Sequence, residues 1–258
     1  MAMIKHPNGP LREAAAAVRP VLIWDLPLRA FHWLLALTLA ACWITQELGG
    51  AWMDWHLRLG YLALGLVLFR IVWGVAGTRH SRFSSFLTGP LPVVVYFRRW
   101  LAGDLPPLAG HNPLGGWVSV LMLTSVAIQT FSGLFNSDDI FTSGPWRPAV
   151  SSAFANSMER LHEFNFYLLL GLIAVHLAAI AAYRIRFGVK LVLPMITGRK
   201  TTSEQDGIRS QRIWLGVLIA ALVGSLVWGL ISAARQPASR SCSTRSPMSS
   251  AGPVRLGA

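Results

Sequence analysis

Charge is scarce in this sequence. Only 13% of its 258 residues are Asp, Glu, Lys or Arg, against 53% that are hydrophobic. That balance argues against an ordinary soluble domain and points to a membrane protein. Cysteine is nearly absent too: Cys42 falls inside an apolar run and Cys242 in the polar tail. The chain therefore has no disulfide framework and no C-x-x-C-H motif for covalent cofactor attachment. Carboxylates are almost missing from the apolar runs, which weighs against a proton relay built on buried acids. No repeat of fixed period suggests a solenoid, and an odd number of apolar runs argues against a simple inverted-repeat transporter.

Long apolar runs are what the sequence has instead. Crossing a hydrocarbon core of ~30 Å takes ~20 mostly apolar residues in a helix. Five segments approach that length: Phe31 to Leu48, Leu57 to Val75, Trp117 to Phe135, His162 to Tyr183 and Ile213 to Ala233. The expected fold is all-α, an integral membrane bundle with a four-helix core and a fifth transmembrane helix.

The net charge of +12 could suggest nucleic acid, but the cations gather at alternate ends of the apolar runs. That is the positive-inside pattern. Lys5, Arg12, Arg19 and Arg29 precede or open the first span; Arg70, Arg79, Arg82, Arg98 and Arg99 surround the loop from the second to the third. The loop between the fourth and fifth spans carries Arg184, Arg186, Lys190, Arg199, Lys200, Arg209 and Arg212. The opposite side holds only Arg58, Arg147 and Arg160, alongside Glu47, Asp54, Asp138, Asp139 and Glu159. This distribution predicts a cytoplasmic N-terminus in a bacterial inner membrane, with the lipid bilayer rather than nucleic acid as the surrounding partner. A fifth span would put Arg235, Arg240, Arg245 and Arg255 outside, which argues weakly the other way.

The first ~20 residues contain no apolar core of signal-peptide type, so the first span is expected to be retained. Residues 1–20 then form a cytoplasmic segment, 21–200 the transmembrane domain, 201–234 a cytoplasmic linker with the fifth helix, and 235–258 a disordered Ser-, Pro- and Arg-rich tail. Phe86 to Leu101 contains Pro90 and Pro92 and is too short to span. It reads as an interfacial helix on the cytoplasmic surface.

Histidines carry the chemical signal. His32, His56, His162 and His176 sit within or at the ends of the apolar runs, where ionisable residues are costly and usually face the bundle interior. A single such histidine is as readily a hydrogen bond between helices. Four of them fall at two depths. His162 and His176 are fourteen residues apart, which on a helix returns to within ~40° of one face and separates them by ~21 Å. His32 is level with His176 at the cytoplasmic end, and His56 with His162 at the outer end.

Two pairs of imidazoles, each pair from different helices, suit two bis-histidine haems stacked across a membrane. Filling both axial positions favours electron transfer over oxygen chemistry. Zinc would need its ligands around one ion at ~2 Å, which histidines ~21 Å apart on one helix cannot provide. Gly60, Gly65, Gly133 and Gly171 could let a flat ring approach, though helix packing explains any single one more simply. Arg29 and Arg58 could pair with haem propionates or serve as topology charges. Trp24, Trp33, Trp52, Trp55, Trp117 and Trp146 read as an aromatic belt. His80 and His111 read as interfacial or hydrogen-bonding groups near the headgroups, and His6 has no assigned role.

Several stretches together resemble the bacterial di-haem cytochromes b561 and the b-type cytochrome subunits of nickel-iron hydrogenases and formate dehydrogenases. They are WDLPLRAFHW with His32, HLRLGY with His56, GTRHSRFSSF after the second span, GHNPLGGW opening the third, and the His162 to His176 spacing. The resemblance covers about Val21 to Arg199. It implies two b-type haems, one ligated by His32 and His176 and the other by His56 and His162. It also implies electron exchange between a quinone or quinol and a periplasmic or membrane-bound redox partner protein or soluble cytochrome. The fifth span has no matching ligand. Two rival expectations are a stand-alone quinone-linked oxidoreductase, for example with superoxide as donor, and a haem-free transporter or anchor with structural histidines.

Overall fold

The computed structural model describes residues 18–105, 109–137 and 142–235. Most of the N-terminal segment, Asp138, Asp139 and the tail beyond Arg235 lie outside the described residues. Five helices are long and apolar enough to cross a membrane. They are α1 (Leu26–Leu48), α2 (Met53–Ala76), α4 (Pro113–Gly133), α5 (Ser152–Phe187) and α7 (Ile213–Arg235). Two shorter helices, α3 (Pro90–Ala102) and α6 (Val192–Thr197), lie in the connections. The interfacial helix expected from Phe86 starts at Pro90, because proline is tolerated only in the first turn.

Local chemistry sets the helix ends. Asp25 caps α1 by accepting from the Leu28 amide, Asn112 caps α4 through the Gly115 amide, and Ser151 caps α5 through the Phe154 amide. Each satisfies an amide that the first turn leaves free. Gly103 and Gly188 close α3 and α5 in the left-handed region at φ 82° and 66°, where a side chain would be strained. α5 is longer than the apolar run. It starts ten residues before His162, since the polar turn around Glu159 and Arg160 is compatible with a helix extending beyond the lipid.

The all-α expectation missed one small element. β1 (Val18–Leu22) pairs antiparallel with β2 (Arg199–Ser203), with Val18 opposite Ser203 and Leu22 opposite Arg199. This ribbon joins the chain before α1 to the chain after α6, and Arg19 pairs with Glu204 beside it. Strand pairing between segments so far apart leaves no local hairpin signal.

α1 packs on α2, α4 on α5, and α2 also contacts α4 and α7. One core cluster joins Trp24, Leu28 and Phe31 to Phe69, Trp73, Ile219 and Val223, tying α1, α2 and α7 together. α4 and α5 are tied by Asn165, only 2% exposed. Its Nδ2 donates to the Ser125 carbonyl at 2.9 Å and to Gln129 Oε1, and its Oδ1 accepts from Ser125 Oγ at 3.0 Å. Such bonds between helices hold where apolar packing alone gives little preference in lipid.

The ends of α1 and α2 nearest β1 are pinned by Asp25, which is fully buried. Its carboxylate accepts from the Leu28 amide at 2.8 Å, from Trp73 Nε1 at 3.1 Å, and from the hydroxyls of Thr78 and Ser81. Arg212 fixes the start of α7 by donating at 2.8 Å to the Ala76 carbonyl, one of the carbonyls the last turn of α2 leaves without a helical partner.

Candidate cofactor site

His56, in the first turns of α2, and His162, on α5, come together from different helices. Their ring centroids are 6.4 Å apart with planes inclined by 72°. An imidazole nitrogen lies about 1.1 Å from its ring centroid and a metal–nitrogen bond is about 2.0 Å. Two imidazoles on opposite sides of one ion therefore have centroids about 6.2 Å apart. The observed separation is compatible with one ion held between the two rings.

Both rings are oriented through their other nitrogen. His56 Nδ1 lies 2.9 Å from the Cys42 carbonyl of α1. His162 Nδ1 lies 3.0 Å from the Gln129 carbonyl of α4 and 3.1 Å from Ser132 Oγ. A carbonyl only accepts, so each Nδ1 carries the proton and each Nε2 keeps its lone pair. Histidine ligands are commonly fixed in this way, with the second ring nitrogen donating to a carbonyl. Gly133 supports the same arrangement: a Cβ there would sit 3.0 Å from His162 Cε1. It makes room for the imidazole rather than for a haem ring.

Gly60 follows His56 by one helical turn and is open, with nothing within 4 Å of a Cβ built on it. That space suits a flat ring beside the histidine pair. Gly171 is equally open, but it lies nine residues from His162, about 180° around α5, and so faces away from the histidine stripe. Gly65 faces α7, with Val227 4.0 Å from its built Cβ.

His32 on α1 and His176 on α5 are electrostatic neighbours near the other end of the bundle. His32 Nδ1 is buried without a hydrogen-bond partner among the described residues, an unusual state for a buried polar atom. Arg29, one turn earlier, donates Nη1 to the Ile196 carbonyl while its Nε is buried and unpartnered. That Nε would be 3.1 Å from a Cβ on Gly198, so the guanidinium is turned toward the end of α6. Arg58 is two residues from His56, about 160° around α2, and so faces away from the histidine pair. Among the described residues no three His, Cys, Asp or Glu side chains gather to form a metal cage.

The expectation for Trp24 is corrected. Trp24 is 8% exposed and packs edge-on to His80 and His111 with centroids 6.4 and 4.7 Å away; it is core, not belt. His80 Nε2 donates to the Asp206 carbonyl at 2.7 Å. His111 is held neutral, its pKa pushed down to about 3 first by burial and then by the Arg70 and His80 charges. β1–β2 and the segment following them cover these loops. Other belt tryptophans are tied to the backbone, Trp33 to Met195 and Trp117 to Thr88.

Sequence reasoning missed the groups that aim the histidines. Cys42 and Gln129 act through backbone carbonyls, which carry no sequence signal, and Ser132 is an ordinary residue in an apolar helix. Asp25 directly precedes the first span, and nothing in its sequence surroundings marks it as a buried network centre.

No curated protein and no solved structure matches the chain. Residues 23–198, more than half of the sequence, match the family described as prokaryotic cytochrome b561; the chain belongs to that family and is a multi-pass bacterial membrane protein that binds b-type haem and transfers electrons.

Proposed function

We propose that this protein holds two b haems, one between His56 and His162 and one between His32 and His176, and moves electrons across the bacterial inner membrane. The electrons pass between the quinone pool and a partner oxidoreductase or soluble cytochrome. The observation that carries this reading is the 6.4 Å separation of the His56 and His162 rings, with both Nδ1 atoms committed to carbonyls. A b haem supplies a one-electron iron couple when bound.

The chain's own residues supply the rest. Four imidazoles on three helices fix two positions along the membrane normal, separated by ~21 Å along α5. The Cys42 and Gln129 carbonyls hold the outer pair in one tautomer and increase its donor strength. The apolar spans exclude water. The Arg and Lys distribution supports a cytoplasmic N-terminus, which puts His32 and His176 on the cytoplasmic side.

Quinol oxidation tests the electron-transfer reading. Adding a short-chain quinol to the purified, oxidised protein is expected to reduce its haem in a stopped-flow experiment. Sustained turnover is expected to require the redox partner, being low for the protein alone. Haem that dithionite reduces but quinol does not would contradict the quinone assignment; full quinone-linked turnover by the isolated protein would favour a stand-alone oxidoreductase.

A further inference from the structure

The fifth span lies outside the residues that match the family, and it encloses a groove that the haem account does not use. Where α7 packs on α2 the two helices enclose a cavity of about 600 Å³. Its lining includes Tyr61, Leu62, Phe69, Val223 and Trp228, and Arg58 is its one charged residue. Gly65 and Gly224 keep it wide: a Cβ at Gly224 would meet nothing within 4 Å, and one at Gly65 only Val227 at 4.0 Å.

Arg58 gives the groove its chemistry. Its guanidinium lies 5.1 Å over the Trp55 ring, and no carboxylate pairs with it among the described residues. A cation this close to a hydrocarbon region seeks an anion or the headgroup layer. It sits five residues after the start of α2, a depth of ~7.5 Å along the helix, with the apolar walls continuing inward from it. One anionic oxygen cluster at Arg58 and one long hydrocarbon chain along Gly65 and Gly224 would satisfy both parts of the groove.

We infer that the α2–α7 groove is a binding site for an anionic phospholipid, with the phosphate on Arg58 and an acyl chain between the helices. The wall of the groove contributed by α2 is the face opposite His56: Arg58, Tyr61, Leu62, Gly65 and Phe69 all lie about 120–180° around the helix from it. A redox-active quinone seated there would have a full helix between it and the histidine pair, whereas a lipid needs no such proximity. Guanidinium pairs well with phosphate through two parallel charge-assisted hydrogen bonds. The site would lock the fifth helix onto the four-helix core.

Native mass spectrometry of the full-length, haem-loaded protein tests this by titration with dioleoyl phosphatidylglycerol and dioleoyl phosphatidylcholine. The expected result is retention of one phosphatidylglycerol per chain, about tenfold tighter than phosphatidylcholine, from the charge-assisted contact. Arg58→Gln should abolish that preference, and Gly224→Leu should reduce binding of both lipids while the haem spectrum stays unchanged. Equal affinity for the two lipids in the unaltered protein would overturn the inference. So would a groove that Gly224→Leu leaves fully competent for lipid. Dimers lost on Gly224→Leu would assign the groove to a second copy of the chain, and co-purifying quinone displaced by that substitution would assign it to quinone; either result overturns the lipid assignment.

Discussion

Replacing His162 with Ala is expected to halve the haem content, from two per chain to one, and to leave the remaining haem with its spectrum intact. Loss of a ligating imidazole would remove a metal bond. Among the described residues Ser132 is the only side chain hydrogen-bonded to His162, and it spends its own proton on the Ile128 and Gln129 carbonyls of its helix. His56→Ala should give the same loss because the two rings lie together, with centroids 6.4 Å apart. His32→Ala and His176→Ala should remove the other haem and spare the first. Haem per chain from the pyridine adduct, together with low-temperature reduced spectra, separates the two classes of variant. If His56→Ala and His162→Ala eliminate different haems, the proposed pairing is wrong even though all four residues are ligands.

Asp25→Ala should be the most destabilising single substitution in the region outside the histidines. The carboxylate is fully buried and satisfies Trp73 Nε1, the Thr78 and Ser81 hydroxyls and the first turn of α1. Arg70, buried and also an electrostatic neighbour of Asp25, would lose its nearest negative charge. Removing one member of such a network strands the others, at a cost of about 3–5 kcal/mol. In a chain of this size that corresponds to a fall in thermal midpoint of roughly 10 °C. The check is haem release followed by absorbance during heating in detergent. Asp25→Asn retains an acceptor and should fall between the two proteins. A midpoint for Asp25→Ala within a degree or two of the unaltered protein would mean that the network does not hold α1 and α2 together.

These two sites also differ in how visible they are in the sequence. Imidazoles stand out in apolar runs because few ionisable groups are tolerated there. The helical repeat relates His162 to His176 without any tertiary information. The five spans were legible for the same reason, since the length and polarity of the bilayer constrain them. Their ends were less so: α5 continues through polar residues that cost a helix nothing once it leaves the lipid.

What orients the site was not legible. The Cys42 and Gln129 carbonyls act through the backbone, and their position depends on how α1 meets α2 and α4 meets α5. Trp24 was misplaced because its amphipathic side chain suits an interface as well as a core. The choice is made by β1 and β2, two segments far apart in sequence whose pairing has no local signature. Gly133 illustrates the same limit, since only the packed structure distinguishes a glycine that admits an imidazole from one that admits a larger ring.

The central claim is that paired histidines at two levels each hold a haem. The most direct test is a dithionite-reduced minus oxidised spectrum of the purified protein, with haem per chain counted from the pyridine adduct after haem-sufficient expression. The account predicts two non-covalent b haems per chain. A single haem would contradict the second pair, and a chain that folds fully without haem would return all four histidines to a structural role.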